Sequence, residues 1–294
     1  MDRIVLFLNG SRGIALAAAL HQAGHGVDLV VMPVRKAENI EPEIAAIGMK
    51  VWPVADVNDA AFIKALHDAA PKLMILAGFS TIFRPEILSV PVYGTINLHG
   101  GRLPAYRGGS PLNWQIINGE PRIGVSVLRV DEGIDTGDIL ATDEFELAPE
   151  ATIAEVHERA NALFPKLVLQ VLQHFDDGDF GGTVQRPEEG GYWHQRNEAD
   201  GRIHWDRLSA WEAYNLVRAV SWPYPGAYSH LGDRKVRIMA ATMPEMQIHG
   251  ATGRVCYVKG QGPYVVCRDA AILLREFQIE GEPGGRLPHG IYLE

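Results

Sequence analysis

The sequence predicts an α/β protein in which a Rossmann-like, mostly parallel sheet with helices on both faces is followed by a smaller β-barrel domain. Short apolar runs alternate with stretches of helical composition as far as residue 175. From residue 228 onward, strand-like runs are separated by glycine turns. The length of 294 residues exceeds the usual size of one domain, so we expect one large and one smaller domain.

The chain opens with a strand, a glycine turn, a helix and a second strand. Residues 3–8 are apolar, residues 14–23 have helical composition, and residues 27–32 are apolar again, which predicts parallel strands joined by a right-handed crossover. The turn Gly10-x-x-Gly13 is shorter than the dinucleotide fingerprint and no acidic residue closes the second strand, so it does not predict an NAD site. Arg12 in this turn either binds a substrate anion or is simply solvated.

The alternation continues through the middle of the chain. We expect helices at 39–47, 59–69, 112–118 and 152–175, a short helix that begins at Pro85, and strands at 50–54, 72–77, 94–98, 123–130 and 138–145. The long helix at 152–175 closes the first domain in this interpretation. Its apolar residues recur every four positions, which is typical of a packing stripe.

Domain boundaries follow from a change in composition. Residues 183–200 are rich in Gly, Pro and Glu, which is typical of a linker, so we expect domains at 1–182 and 201–294. The strand-like runs of the second domain lie at 228–240, 250–258, 264–267 and 271–277, and they predict a small open β-barrel.

Composition limits the function classes. The net charge is −9, and residues 183–294 carry 13 basic and 13 acidic side chains, so neither domain has the basic excess that a nucleic-acid partner requires. The N-terminus lacks a signal pattern and no apolar run is long enough to span a bilayer, so we expect a cytoplasmic protein without a membrane partner. Cys256 and Cys267 are expected to be free thiols, and no metal site is predicted.

The candidate catalytic residues lie in and after the stretch Thr95–Trp114, which reads TINLHGGRLPAYRGGSPLNW. Asn97 and His99 are two positions apart near the end of a predicted strand, so their side chains should leave the same face. An amide is a neutral donor suited to a developing oxyanion, and an imidazole can move a proton at neutral pH. A third polar residue, Asp135, lies in a glycine-rich turn that follows another predicted strand.

Together these motifs resemble the formyltransferase family that uses 10-formyltetrahydrofolate. The resemblance rests on Asn97-x-His99, a Pro-x-Tyr-Arg-Gly loop and the later Asp-Thr-Gly-Asp turn that begins at Asp135. It implies that the Asn stabilises the tetrahedral intermediate, that the His handles the proton as base or donor, and that Asp135 sets the charge of the His. It also implies an OB-like barrel as the C-terminal domain. A catalytically silent folate- or nucleotide-binding module should have lost parts of the triad, and all three members are present.

The same resemblance implies the binding residues. The loop around Thr81, Ile82 and Phe83 should line the pteridine pocket, together with residues of the later turn, which are Asp131, Glu132, Gly133 and Ile134. We expect 10-formyltetrahydrofolate as cosubstrate and no metal. Arg12, Arg107 and Arg218 are candidates for substrate binding, although Arg107 either binds substrate or braces its loop, and Arg218 either faces the cleft or makes a structural bond.

The acceptor is the finer question. Family members that act on methionyl-tRNA carry a long basic insertion after the second strand. The corresponding segment here, residues 33–42, is short and nearly balanced in charge. The C-terminal domain contains an I-x-W segment at 203–205, an N-x-x-R-A pattern at 215–219 and a P-x-P-G-A turn at 223–227. Together with the Ser110–Trp114 run, these motifs resemble the nucleotide-sugar N-formyltransferases, including the domain that formylates UDP-4-amino-4-deoxyarabinose. We therefore expect a nucleotide-linked amino sugar as the acceptor, in lipopolysaccharide biosynthesis, with methionyl-tRNA as the alternative. Gly109 stands where the arabinose enzyme has an Arg, so the identity of the sugar stays open. Whether the protein forms a homodimer also stays open.

Overall fold

The computed structural model describes the backbone of residues 1–294 and every side chain except those of Ala37, Glu38 and Pro187. The chain divides into two units, each described by itself. The first comprises Met1–Pro111, Gly124–Phe145 and Glu158–Trp193, and the second comprises Leu112–Ile123, Glu146–His157 and His194–Glu294. The predicted boundaries at residues 182 and 200 stay a prediction.

A seven-stranded sheet with the order β3-β2-β1-β4-β5-β7-β8 forms the centre of the fold. Its strands are β1 (Ile4–Leu8), β2 (Val27–Pro33), β3 (Val51–Val54), β4 (Leu73–Ala77), β5 (Thr95–His99), β7 (Arg122–Arg129) and β8 (Ile139–Glu146). The first five pair in parallel, and β7 runs antiparallel to β5. The chain reverses its direction across the sheet between β1 and β4, and ligands of such sheets bind outside the carboxyl ends of the strands at this switch point.

The helices are α1 (Ser11–Gln22), α2 (Val34–Ala46), α3 (Ala60–Ala69), α4 (Pro85–Leu88), α5 (Pro111–Ile117), α6 (Ile153–Asp176) and α7 (Ala210–Ala219). Alternate residues of β1 face opposite layers, and Val5 and Phe7 belong to a core that includes Phe62 of α3 and Ile87 of α4. A Cβ on Gly13 would lie 2.2 Å from the Cβ of Leu8, so this glycine permits α1 to pack closely on β1. The predicted α/β class is confirmed.

Helix α2 differs from the sequence prediction, because it begins at Val34 and not at residue 39. Pro42 lies inside the helix, as the predicted range 39–47 implies. The residues at 35–38 are strong helix formers, and the apolar stripe of Ile40 and Ile44 is buried at 5% and 0% exposure. Burial of this stripe outweighs the one backbone hydrogen bond that proline removes. Strand β2 therefore runs directly into α2 with no intervening loop.

The second unit contains a five-stranded antiparallel sheet with the order β10-β11-β14-β13-β12. Its strands are β10 (Ala227–Leu231), β11 (Arg234–Thr242), β12 (Val255–Val258), β13 (Gln261–Val266) and β14 (Ala271–Ile279). This antiparallel sheet, with β10 and β12 at its edges, occupies the part of the chain where an OB-like barrel was predicted. Cys256 and Cys267 are free, and burial raises the pKa of the Cys267 thiol to about 12, so this thiol stays protonated and unreactive.

The segment predicted as a linker contains secondary structure. Tyr192–Trp193 forms β9, which pairs in parallel with β6 (Arg107–Gly108) in a two-stranded sheet. Short 3₁₀ helices occupy Pro187–Glu189 and Glu198–Gly201. Of the helices in the described part of the chain, none combines the length and apolar character needed to cross a membrane.

Candidate active site

Asn97 and His99 lie on β5, with Asn97 partly exposed and His99 buried. Both side chains reach Asp135. The Nδ2 of Asn97 donates a hydrogen bond to Oδ1 of Asp135 over 3.4 Å, and Nδ1 of His99 lies 3.4 Å from Oδ2. The structure therefore brings together the three residues predicted to be catalytic.

Asp135 is held in an unusual backbone conformation. Its φ of +55° lies in the left-handed region, which Asp tolerates better than most residues. The backbone N–H of Gly108 donates to Oδ2 of Asp135 over 2.9 Å, and Nε2 of Gln185 donates to the Asp135 carbonyl over 3.0 Å. The turn is further closed by Asp131, which accepts hydrogen bonds from the Gly133 N–H and the Thr136 hydroxyl. Asp135 is thus fixed as an acceptor beside β5.

His99 has a hydrogen-bond acceptor on each side. Its Nε2 lies 2.6 Å from the carbonyl oxygen of Tyr106, and its Nδ1 faces the Asp135 carboxylate. A neutral imidazole has a single N–H, so only the protonated ring can donate to both neighbours. Burial holds the pKa of His99 below its usual value, while Asp135 and the Tyr106 carbonyl raise it and Arg12 lowers it further. His99 is therefore neutral at neutral pH, with two acceptors ready to stabilise the ring once it takes up a proton.

The loop that contains Tyr106 is fixed by the segment that sequence analysis interpreted as a linker. The ring of Trp193 stacks on that of Tyr106 at 5.4 Å, and its Nε1–H donates to the Ala105 carbonyl. Gly108 has a φ of +94°, and a Cβ there would lie 2.2 Å from the Trp193 carbonyl oxygen. Tyr192–Trp193 therefore positions the Tyr106 carbonyl against His99 and the Gly108 N–H against Asp135. The aromatic pair in a segment otherwise rich in Gly and Glu was the only signal of this role.

A pocket of about 340 Å³ lies beside the triad at the carboxyl ends of β4 and β5. Its volume is within the range of small-molecule sites. Asn97 and Asp135 line it, and so do all seven residues predicted to bind the cosubstrate, which are Thr81, Ile82, Phe83, Asp131, Glu132, Gly133 and Ile134. Sequence analysis did not assign Ser80 or the end of β7, Leu128–Arg129, which line the same pocket.

The three arginines predicted to bind substrate all make hydrogen bonds within the protein. Arg12 donates to Asn161 and to the Leu98 carbonyl, which places its charge near His99. Arg107 is buried and donates to Gln185 and to the Arg186 carbonyl, so it braces its loop.

Arg218 lies in the second unit. It is buried and donates to Asn215 and to the carbonyls of Ala148 and Ala151, and burial lowers its pKa. These bonds match the structural alternative for Arg107 and for Arg218. Contact of any of the three with substrate stays a prediction.

Among the residues the structure describes, no group of three His, Cys, Asp or Glu side chains forms a metal-binding cluster.

Comparison with known families identifies both parts of the chain. Residues 3–172 match the family described as "Formyl transferase", and residues 196–284 match "Formyl transferase, C-terminal domain". The chain belongs to the formyltransferase family. Formyl transfer from 10-formyltetrahydrofolate is the chemistry of this family.

Individual relatives differ in their acceptors. A methionyl-tRNA formyltransferase from Syntrophus aciditrophicus is 33% identical over 275 residues, which cover 91% of this chain and 85% of that protein. The N-formyltransferase from Helicobacter canadensis, solved with folinic acid and dTDP-3-aminofucose, superposes with a TM-score of 0.71 at 15% identity and covers 94% of this chain and 99% of its own. HypX from Aquifex aeolicus, solved with tetrahydrofolic acid, gives 0.67 at 23% identity over 94% of this chain, which spans only 44% of HypX. At these identities the two structures show a shared fold.

Proposed function

We propose that Asn97, His99 and Asp135 perform formyl transfer from 10-formyltetrahydrofolate to a primary amine. The observation that carries this proposal is geometric: Asn97 and Asp135 line the folate-sized pocket and both lie against the same face of β5 as His99. A formyl group at the end of the pocket would then meet an amide donor, a proton acceptor and a fixed carboxylate.

The proposed chemistry assigns one role to each side chain. The acceptor nitrogen forms a bond to the formyl carbon, the bond from that carbon to N10 of the folate breaks, and the proton lost by the acceptor nitrogen goes to N10 through His99. Asn97 donates to the formyl oxygen as negative charge develops on it. Asp135 stabilises the protonated His99 ring. Because Nε2 of His99 is bonded to the Tyr106 carbonyl, the amine reaches this ring only by displacing one of its two contacts.

For the acceptor, we propose the amino group of a nucleotide-linked 4-amino-4-deoxy or 4,6-dideoxy sugar. The supporting observation is that β2 ends at Pro33 and α2 begins at Val34, which leaves no loop for a basic insertion. A tRNA is bound mainly through its phosphates, and the net charge of −9 offers few cations for that purpose. A nucleoside diphosphate needs only one or two.

Methionyl-tRNA is the second candidate, and the sequence comparison favours it over the sugar. The relative from Syntrophus aciditrophicus, which acts on methionyl-tRNA by its name, matches 91% of this chain at 33% identity. A binding mode that places few tRNA phosphates on the protein would reconcile this relationship with the acidic charge of the chain.

One experiment separates the two acceptors. The protein is incubated with 10-formyltetrahydrofolate and, in parallel, with UDP-, dTDP- and GDP-linked 4-amino sugars and with charged initiator tRNA, and each product is weighed by mass spectrometry. We expect one added formyl group on an amino sugar, no product with tRNA, and no product from the variant His99→Ala. Formylation of the tRNA at a rate equal to that of the best sugar would overturn the acceptor while leaving the roles of the triad intact.

A further inference from the structure

A second cavity, of about 970 Å³, lies at the carboxyl ends of β1, β2 and β3. We call it the β2–β3 cleft. Its apolar floor includes Pro33, Val57 and Phe79, and its rim includes Arg35 and Lys36 at the start of α2. The cleft shares residues Phe79–Thr81 with the pocket beside the triad, which we call the folate pocket, so the two cavities adjoin at this loop.

We propose that the β2–β3 cleft binds the nucleoside diphosphate part of the acceptor, an inference that rests on the proposed function. The cleft combines two features that such a ligand requires, which are an apolar surface for a planar base and cations for two phosphates. Both Arg35 and Lys36 are exposed side chains. The p-aminobenzoyl-glutamate tail of a folate also presents a ring and carboxylates, and the KM for 10-formyltetrahydrofolate measured below distinguishes it from a diphosphate.

The position of the cleft suits an acceptor that reaches the triad. In the sheet order, β1 and β4 separate β2 from β5, so the carboxyl ends of β2 and β5 lie about 14 Å apart at the usual spacing of neighbouring strands. A sugar ring and a diphosphate extend over a distance of this order. The amino group would lie at His99, and the phosphates would lie near Arg35.

The two cations are also placed where they do not help the helix. Arg35 and Lys36 are in the first turn of α2, and this turn contains no acidic residue. The N-terminus of a helix carries a partial positive charge, so cations there oppose the helix dipole. Their removal should leave folding unchanged or slightly improved, and any loss of ligand binding then reflects the cleft itself.

Isothermal titration calorimetry with UDP, dTDP and GDP tests the proposal. The double variant Arg35→Gln/Lys36→Gln should bind the preferred diphosphate about tenfold more weakly than the wild type, since it loses two charge-assisted contacts. The variant Lys50→Gln/Lys64→Gln removes the same charge from exposed positions outside the cleft and should bind as the wild type does. Uridine, which has no phosphate, should show no difference among the three proteins.

Each other outcome overturns the inference. Equal dissociation constants for the wild type and the double variant would show that the cleft does not hold the phosphates. A rise in the KM for 10-formyltetrahydrofolate with unchanged diphosphate binding would assign the cleft to the folate tail. The acceptor assay with mass detection tests the proposed function independently. If a sugar is formylated but the double variant binds diphosphate as the wild type does, only the proposal for the cleft is refuted.

Discussion

At the scale of single residues, Asp135 gives a test of the proton-handling role of His99. The Asp135 carboxylate raises the pKa of His99 against the lowering effect of burial. The substitution Asp135→Asn removes this charge, so the pKa of His99 should fall. A general base acts while neutral, and activity is lost as the pH falls through its pKa. We therefore expect a lower kcat and an acid limb of the pH–kcat profile that moves to lower pH.

The substitution is suited to this test because Asn tolerates the left-handed region as well as Asp does, so the φ of +55° need not change. Asp143→Asn removes one acidic charge from β8, at a residue that does not line the pocket, and serves as the control. An acid limb at the same pH in Asp135→Asn and in the wild type would reduce Asp135 to a turn residue.

The residues of the site differ in how far sequence predicted them. The two-residue spacing of Asn97 and His99 was sufficient to place both on one face of a strand. Asp135 lies 38 positions after Asn97, and only the resemblance to a family associated the two. The Tyr106 carbonyl that contacts His99 is a backbone group, which every residue has, so no sequence pattern identifies it.

At the scale of elements, helix α7 depends on a capping box that joins Ser209 and Glu212. The Ser209 hydroxyl accepts a bond from the Glu212 N–H, and the Glu212 carboxylate accepts one from the Ser209 N–H over 2.7 Å. Ser209→Ala removes the hydroxyl and should lower the free energy of unfolding by about 1 kcal/mol. Thermal or urea unfolding measures this change.

Ser209→Thr is the matched control, because it keeps a hydroxyl at the cap and should retain most of the stability. Equal stability of the Ala variant and the wild type would show that the capping box contributes nothing measurable. Activity should be preserved in both variants, since the cap lies in the second unit and Asn97, His99 and Asp135 all belong to the first.

Helices and strands were predictable where the spacing of apolar residues and the positions of glycine turns indicated the same element. Helix α3 begins at Ala60, one residue after the predicted start, because Asp59 is its N-cap and accepts hydrogen bonds from the N–H groups of Ala61 and Phe62. The predicted start of α2 was five residues late because residues 34–38, which are helical in the structure, were interpreted as part of the connection after β2. The pairing of Tyr192–Trp193 with Arg107–Gly108 joins segments 85 residues apart, and local composition does not show which distant segment the aromatic pair contacts.

At the scale of the whole molecule, charge is the property that bears on the acceptor. The excess of acidic residues lies in residues 1–182, and residues 183–294 are balanced. Neither part of the sequence therefore has an excess of basic side chains. The cations of the β2–β3 cleft are few but placed together, which suits a small anion.

Salt dependence converts this charge distribution into a measurement. A protein that makes six to ten phosphate contacts loses roughly 10³- to 10⁵-fold in affinity between about 50 and about 200 mM salt, because each contact releases a counterion. A diphosphate held by Arg35 and Lys36 makes about two such contacts, so the same relation predicts that the KM of the acceptor rises only about tenfold over this range. Total tRNA added at about 150 mM salt should not inhibit. Inhibition by tRNA that weakens steeply as the salt concentration is raised would indicate that methionyl-tRNA is the acceptor. The amino sugar would then be the wrong substrate for this protein.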